Sequence, residues 1–194
     1  MNETIFNEIT EHYQLVGACL EDAELMDTID QVAQETIKRL NAGGKIITFG
    51  NGGSAADAMH FVGEMVGRFR REREAFRAIC LNTDPVIMTA VGNDYGFGRV
   101  FQRQALSLMD REKDIMYAYS TGGTSENILM ALPSRGWINV PIVAFTGPNR
   151  TPHSLWGLAE YRISIPIPNT ARIQEMHGII NHVLAELIES GMTR

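Results

Sequence analysis

The sequence predicts an α/β fold: a doubly wound, mainly parallel five-stranded sheet with helices on both faces, preceded by long N-terminal helices. Three observations carry this. Five short β-rich runs alternate with stretches of helical spacing. The runs are mostly continuously apolar, as strands buried on both faces are. The turns that follow the runs from Lys45 and Asp114 are rich in glycine and hydroxyl residues where helices begin.

Taken in order, residues 4 to 41 carry Ile5, Ile9, Tyr13, Leu20, Leu25, Ile29, Val32, Ile37 and Leu40 at helical spacing, with Gly43 and Gly44 as a stop. One or two long helices therefore open the chain. The first strand is KIITFG from Lys45, and a helix from Ser54 to Gly67 follows. On that helix Ala55, Ala58, Val62, Met65 and Val66 share the apolar side, while Asp57, His60 and Glu64 fall on the other. The arginines at 68, 70, 71, 73 and 77 are interrupted by Glu72 and Glu74 and read as a solvated loop. Strands then follow at AICLN from Ala78, DIMYAYS from Asp114, VPIVAFT from Val140 and YRISIPI from Tyr161, with helices of crossover length between them. A helix from about Thr170 to Glu189 closes the chain. Its core stripe is Ile173, Met176, Ile180, Val183, Leu184 and Leu187, and Gln174, Gly178, Asn181 and His182 lie away from it.

Composition narrows the function. The 194 residues suit one domain, 1–194, with no repeat or linker. Hydrophobic residues at 44% and charged residues at 21% exclude a disordered or fibrous chain. A net charge of -6 repels a nucleic-acid backbone. Cys19 and Cys80 lack CxxC spacing and read as reduced thiols. The first residues have no apolar signal segment, and no later run approaches the ~20 apolar residues of a membrane span, so a cytoplasmic protein is expected.

In open parallel sheets, ligands bind beyond the carboxyl ends of the strands. There, Gly50-Asn51-Gly52-Gly53-Ser54-Ala55 frees backbone N–H groups for an anion or sugar hydroxyls, unless it is only a tight turn. It matches a loose G-x-G-x-x-A pattern without the acidic residue a dinucleotide site needs, and no nucleoside-triphosphate loop exists. The run Ser120-Thr121-Gly122-Gly123-Thr124-Ser125-Glu126-Asn127 gathers four hydroxyls before a helix, which suits a phosphate better than a single N-cap would require. A third loop, Gly92-Asn93-Asp94-Tyr95-Gly96, either holds sugar hydroxyls or merely turns the chain. His60 and Glu64, four residues apart, stack on one helix face and converge on a metal or a proton, the alternative being a surface pair. Of the other histidines, His182 is the functional candidate. His177 lies nearer the core and reads as structural, and His12 and His153 receive no role.

The segments GGKIITFGNGGSAADAMHFVGEMVGRF, NTDPVIMTAVGNDYGFGRVF, Ser120 to Asn127 and ARIQEMHGIINHVLAELIE resemble the sugar isomerase (SIS) domain family over nearly the whole chain. Within it they are similar to the bacterial phosphoheptose isomerases, which convert sedoheptulose 7-phosphate to glycero-manno-heptose 7-phosphate. The resemblance implies zinc held by His60, Glu64, Gln174 and His182, with Glu64 and His182 transferring protons. It places Asn51, Gly52, Gly53, Asn93 and Asp94 around the sugar and Ser120, Thr121 and Ser125 around the phosphate, with Ser54, Gly122 and Gln174 completing the substrate contacts. It also implies a homotetramer with sites at subunit contacts, in which segment 1–41 takes part. Gly122 and Thr124 depart from the family's usual serine and asparagine. Glu126 adds a charge that repels phosphate unless its carboxylate turns away. Eight helical residues rise ~12 Å, so Gln174 meets the metal of His182 only from a frayed helix start or another subunit. A related branch binds the bacterial replication initiator without catalysis but generally lacks the glutamate and terminal histidine found here. A phosphosugar sensor is the remaining alternative.

Overall fold

The computed structural model describes residues 2–132 and 140–193, so part of the crossover expected before the fourth strand lies outside the described residues. Its five strands are β1 (Ile46–Gly50), β2 (Ala78–Cys80), β3 (Ile115–Ser120), β4 (Ile142–Thr146) and β5 (Tyr161–Ser164). They form one sheet in the order β2-β1-β3-β4-β5, parallel at every pairing. All five predicted strands are present.

Alternation along the strands divides the core in two. Ile46, Ile115, Tyr117, Tyr119, Val143 and Phe145 pack on one face against helices α2 (Ala23–Asn41), α3 (Gly53–Val66) and α8 (Thr170–Met192). Ile47, Phe49, Met116, Ala118, Ile142 and Ala144 pack on the other against α5 (Val100–Leu108), α6 (Glu126–Ala131) and α7 (Leu155–Leu158). Burial on both faces is what removes a polar alternation from these strands.

The N-terminal helical segment is two helices, α1 (Glu3–Glu21) and α2, because Asp22 leaves helical geometry and its side chain accepts from Leu25 N–H at 3.0 Å, capping the second helix. Gly92 to Tyr95, expected as a loop, belongs instead to α4 (Pro85–Tyr95). Asp84 caps that helix by accepting from the Val86 and Ile87 N–H groups, Pro85 sits at its start, and the turn falls only at Gly96, whose φ is +83°.

Two helix faces differ from the expected stripes. On α3 the buried residues are Ser54, Ala58, Phe61 and Met65, and Val66 is exposed, because Phe61 is the large side chain that fills the space under Tyr117, with ring centroids 5.1 Å apart. On α8 Val183 is exposed, whereas Asn181 and Glu189 are buried. Asn181 is kept inside by bonds at both ends of its amide: it accepts from Tyr119 OH at 2.8 Å and donates to the Asp57 carbonyl at 3.1 Å.

Candidate active site

The turn after β1 has little room. A Cβ at Gly50 would stand 2.5 Å from the Ser54 carbonyl oxygen, so only glycine lets the chain double back into α3. Gly52 precedes the helix with φ +57°, a region that favours glycine. Asn82, at the end of the neighbouring strand, fixes this turn from the side: it accepts from Gly50 N–H at 3.2 Å and donates to Gly50 C=O at 2.9 Å. Nothing in the spacing of Asn82 from β1 announced that role, since it depends on the β1–β2 pairing.

The Ser120–Asn127 turn stands at the end of the adjacent strand. Gly123 (φ +69°) donates its N–H to the Ser120 carbonyl at 3.0 Å, and the Ser120 and Ser125 hydroxyls lie 3.4 Å apart. Ser125 occupies the N-cap position of α6 without making a side-chain cap bond, so its hydroxyl is not consumed by the helix. Thr121 and Gly122 are held from behind, by Gly147 N–H donating to Thr121 C=O at 2.9 Å and Asn149 Nδ2 donating to Gly122 C=O at 2.9 Å. Glu126 folds over the 3-10 turn at Phe97–Arg99, where a Cβ at Gly98 would come 3.3 Å from its carboxyl carbon. Its charge is thereby directed toward Gly98.

Asn51 bridges the two turns through Asn127. Each side-chain amide donates to the other's oxygen at 2.8 Å.

On the outer side of α3, His60 Nε2 and Glu64 Oε1 are 3.1 Å apart. His182 arrives from α8, with its Nε2 3.3 Å from His60 Nε2 and 4.0 Å from Glu64 Oε1. The pair of bonds made by Asn181, next in sequence to His182, locks α8 onto β3 and α3 and so sets this approach. Two imidazole nitrogens and a carboxylate oxygen, all within 4.8 Å of one another, are the one such group of His, Cys, Asp and Glu side chains found among the described residues. Donor atoms ~2.1 Å from a tetrahedral divalent metal stand ~3.4 Å apart, and this donor set suits a catalytic ion with a position left open. The separations of 3.1, 3.3 and 4.0 Å lie around that value.

Gln174 is not drawn into this group. It lies in the second turn of a regular α8, and its amide stands over Gly53, where a Cβ would meet its Oε1 at 2.5 Å and its Nε2 at 2.6 Å. Within one chain it faces the turn after β1, not His182 two helical turns further on. Asn93 and Asp94 sit exposed in the last turn of α4, Asn93 Nδ2 donating to Asp94 Oδ1 at 2.8 Å. Ser54 is buried at the start of α3, and His12 bonds Glu175 at 2.7 Å.

Two titratable groups with shifted pKa values, the half-buried Asp57 and the buried His177, lie on the helices that carry the site. Burial pushes the Asp57 carboxyl up to about 6, with His60 pulling the other way, and its Oδ2 has no hydrogen-bond partner. His177, edge-on to both rings of the stacked Tyr119 and Phe145 pair, is pushed down to about 4 by burial, the Thr146 backbone opposing only in part. That agrees with a structural, neutral histidine.

Residues 11–147 match the SIS domain family. The chain is 40% identical over 195 residues to a phosphoheptose isomerase of Geobacter metallireducens, covering 99% of each. The chain belongs to the phosphoheptose isomerases, within the SIS domain family. Solved phosphoheptose isomerases from Francisella tularensis (TM-score 0.90, 31% identity, 97% of each chain) and Neisseria gonorrhoeae (0.88, 32%, 97% of this chain and 98% of that one) share its architecture. The chain carries the His60 and Glu64 pair on α3 and His182 on α8 as one cluster.

Proposed function

We propose that this chain interconverts D-sedoheptulose 7-phosphate and D-glycero-D-manno-heptose 7-phosphate, with zinc held by His60, Glu64 and His182. The observation that carries the reading is the convergence of Glu64 with two imidazoles, on a helix that begins at one ligand turn. Likeness over the whole chain to phosphoheptose isomerases supports the substrate class.

Aldose–ketose exchange moves one proton between adjacent carbons and one between their oxygens. In this reading Glu64 takes the carbon-bound proton and returns it at the neighbouring carbon, while His182 carries the oxygen proton. A bound divalent metal supplies polarisation of the carbonyl and stabilises charge on oxygen. Asn51, Gly52, Gly53, Ser54, Asn93 and Asp94 are assigned to the sugar, and Ser120, Thr121, Gly122 and Ser125 to the phosphate. Gln174 is assigned to the substrate of its own chain, because its amide stands over Gly53. A role as a metal ligand would require a second copy.

The reading includes a cytoplasmic homotetramer of single-domain subunits with sites at their contacts, and exposed apolar surface supports association between copies. Ile5, Phe6, Ile9 and Tyr13 project from α1, and α4 buries none of its residues. Met59, Ile179 and Val183 are exposed on the helices that carry the histidines and the glutamate. Such apolar surface is costly in water and marks contacts between copies.

The decisive experiment follows sedoheptulose 7-phosphate turnover in chelated protein, in protein with zinc restored, and in Glu64→Gln. Activity that returns with zinc and falls ~10² to 10⁴-fold in the variant is expected. Equal turnover by folded Glu64→Gln and the parent chain overturns the assignment.

A further inference from the structure

Glu189 is fully buried on α8, seven residues beyond His182, and none of the chemistry above uses it. An unpaired carboxylate there would be costly. Its oxygens are satisfied by three consecutive backbone donors, the N–H groups of Phe69 (3.0 Å), Arg70 (2.8 Å) and Arg71 (2.9 Å), and by Arg73 Nε at 3.0 Å. These bonds hold its pKa below the ordinary carboxylate value although burial alone would raise it. The same Arg73 guanidinium donates to the Glu64 carbonyl at 2.8 Å and the Met65 carbonyl at 3.0 Å, closing the last turn of α3. One buried ion pair thus ties together α8, the end of α3 and the chain segment between them, which the alternating charges of 68–77 had suggested was merely solvated.

That segment presents Phe69 to the site. Its ring lies stacked on the His182 imidazole, centroids 5.6 Å apart and planes 24° from parallel. His60 also meets the His182 ring, edge-on at 4.9 Å and 83°. An imidazole about half exposed, such as His182 (side chain 48%), otherwise has rotamers to choose among.

We propose that Glu189 and Arg73 are positioning residues that pin the Phe69 segment, and that Phe69 in turn sets the plane in which His182 offers its Nε2 to the metal. The proposal rests on the metal-site reading above. Neither residue of the pair touches substrate, and each acts through the backbone that carries Phe69.

The test is a cobalt(II) titration of chelated protein, followed by visible absorption, together with separate kcat and KM values for the zinc-restored enzyme. In Phe69→Ala, cobalt affinity and kcat are expected to fall ~10 to 100-fold, the usual cost of losing a group that orients a metal ligand, with KM within about twofold. Phe69→Tyr, which keeps the ring, restores both. Glu189→Gln reproduces the Phe69→Ala pattern. Should it not accumulate as folded protein, Arg73→Lys, which keeps the charge but loses the guanidinium bonds to α3, takes its place. Unchanged cobalt affinity and kcat in Phe69→Ala overturn the role of the ring, and the same result in the folded pair variant overturns the role of Glu189 and Arg73. A parent chain that binds no cobalt sinks the metal-site reading and this inference together.

Discussion

Asn51 and Asn127 exchange two side-chain hydrogen bonds, each 2.8 Å long, across the gap between the turn after β1 and the first turn of α6. Asn127 is buried. Removing Asn51 leaves the buried Asn127 amide with nothing to bond, which costs ~1–3 kcal/mol, whereas removing both deletes the unmet need as well. Asn51→Ala is therefore expected to lower the free energy of unfolding by about that amount, and the Asn51→Ala, Asn127→Ala double variant to lose less than the sum of the singles. Denaturant unfolding of the four proteins measures this, and strict additivity would refute the coupling.

Gly53→Ala separates stability from binding. The added methyl meets the end of the Gln174 side chain, not backbone, so the amide swings aside cheaply, and alanine in place of glycine favours the folded chain by ~0.4–1 kcal/mol through the entropy of the unfolded chain. The melting temperature is expected to hold or rise while KM increases, because Gln174 no longer stands over the ligand turn. A KM equal to that of the parent chain would remove Gln174 from the substrate.

Glu126 and Ser125 are neighbours with opposite expectations. The Glu126 carboxylate lies over Gly98, so Glu126→Gln is expected to change KM by less than about threefold. Ser125, whose hydroxyl is free of capping and 3.4 Å from that of Ser120, is expected to raise KM ~10-fold or more when replaced by alanine, since hydrogen bonds to charged groups contribute ~1.5–3 kcal/mol. Steady-state kinetics of the two variants decides between these roles.

Asp57 and His177 make the stability of the metal-free protein depend on pH in opposite senses. Asp57 is raised to about 6, so its contribution is full below its unfolded pKa and is lost as pH rises through 6. His177 is lowered to about 4, so its contribution is full above its unfolded pKa near 6.5 and is lost as pH falls toward 4. Between pH 4 and 6.5 the two therefore oppose each other. Asp57→Asn should unmask a stability that rises with pH across this window, and replacement of His177 by phenylalanine one that falls. Thermal melts at four pH values with chelator present report both slopes, and a flat profile in either variant contradicts its half of the account.

Much of the architecture was legible in local pattern. Five continuously apolar runs separated by helical stretches specify a parallel sheet covered on both faces, because such strands have no polar side to turn outward. His60 and Glu64 were legible too, since four residues on a helix place two side chains on one face. Segment 92–95 was misread because Gly, Asn and Asp favour turns locally, while the Asp84 cap and Pro85 at its start commit the segment to helix.

By itself, then, the sequence determined the sheet, the glycine and hydroxyl turns at its carboxyl edge, and the paired ligands on α3, all of which follow from periodicity and spacing over a few residues. Only the tertiary structure decided which distant groups complete them: His182 beside His60 across a sequence separation of 122, Asn127 opposite Asn51, and Glu189 beneath the arginines of the 68–73 segment. The reason is physical. A buried polar side chain is specified by the partner that satisfies it, and that partner is chosen by how helices and strands pack in three dimensions, which no local pattern records.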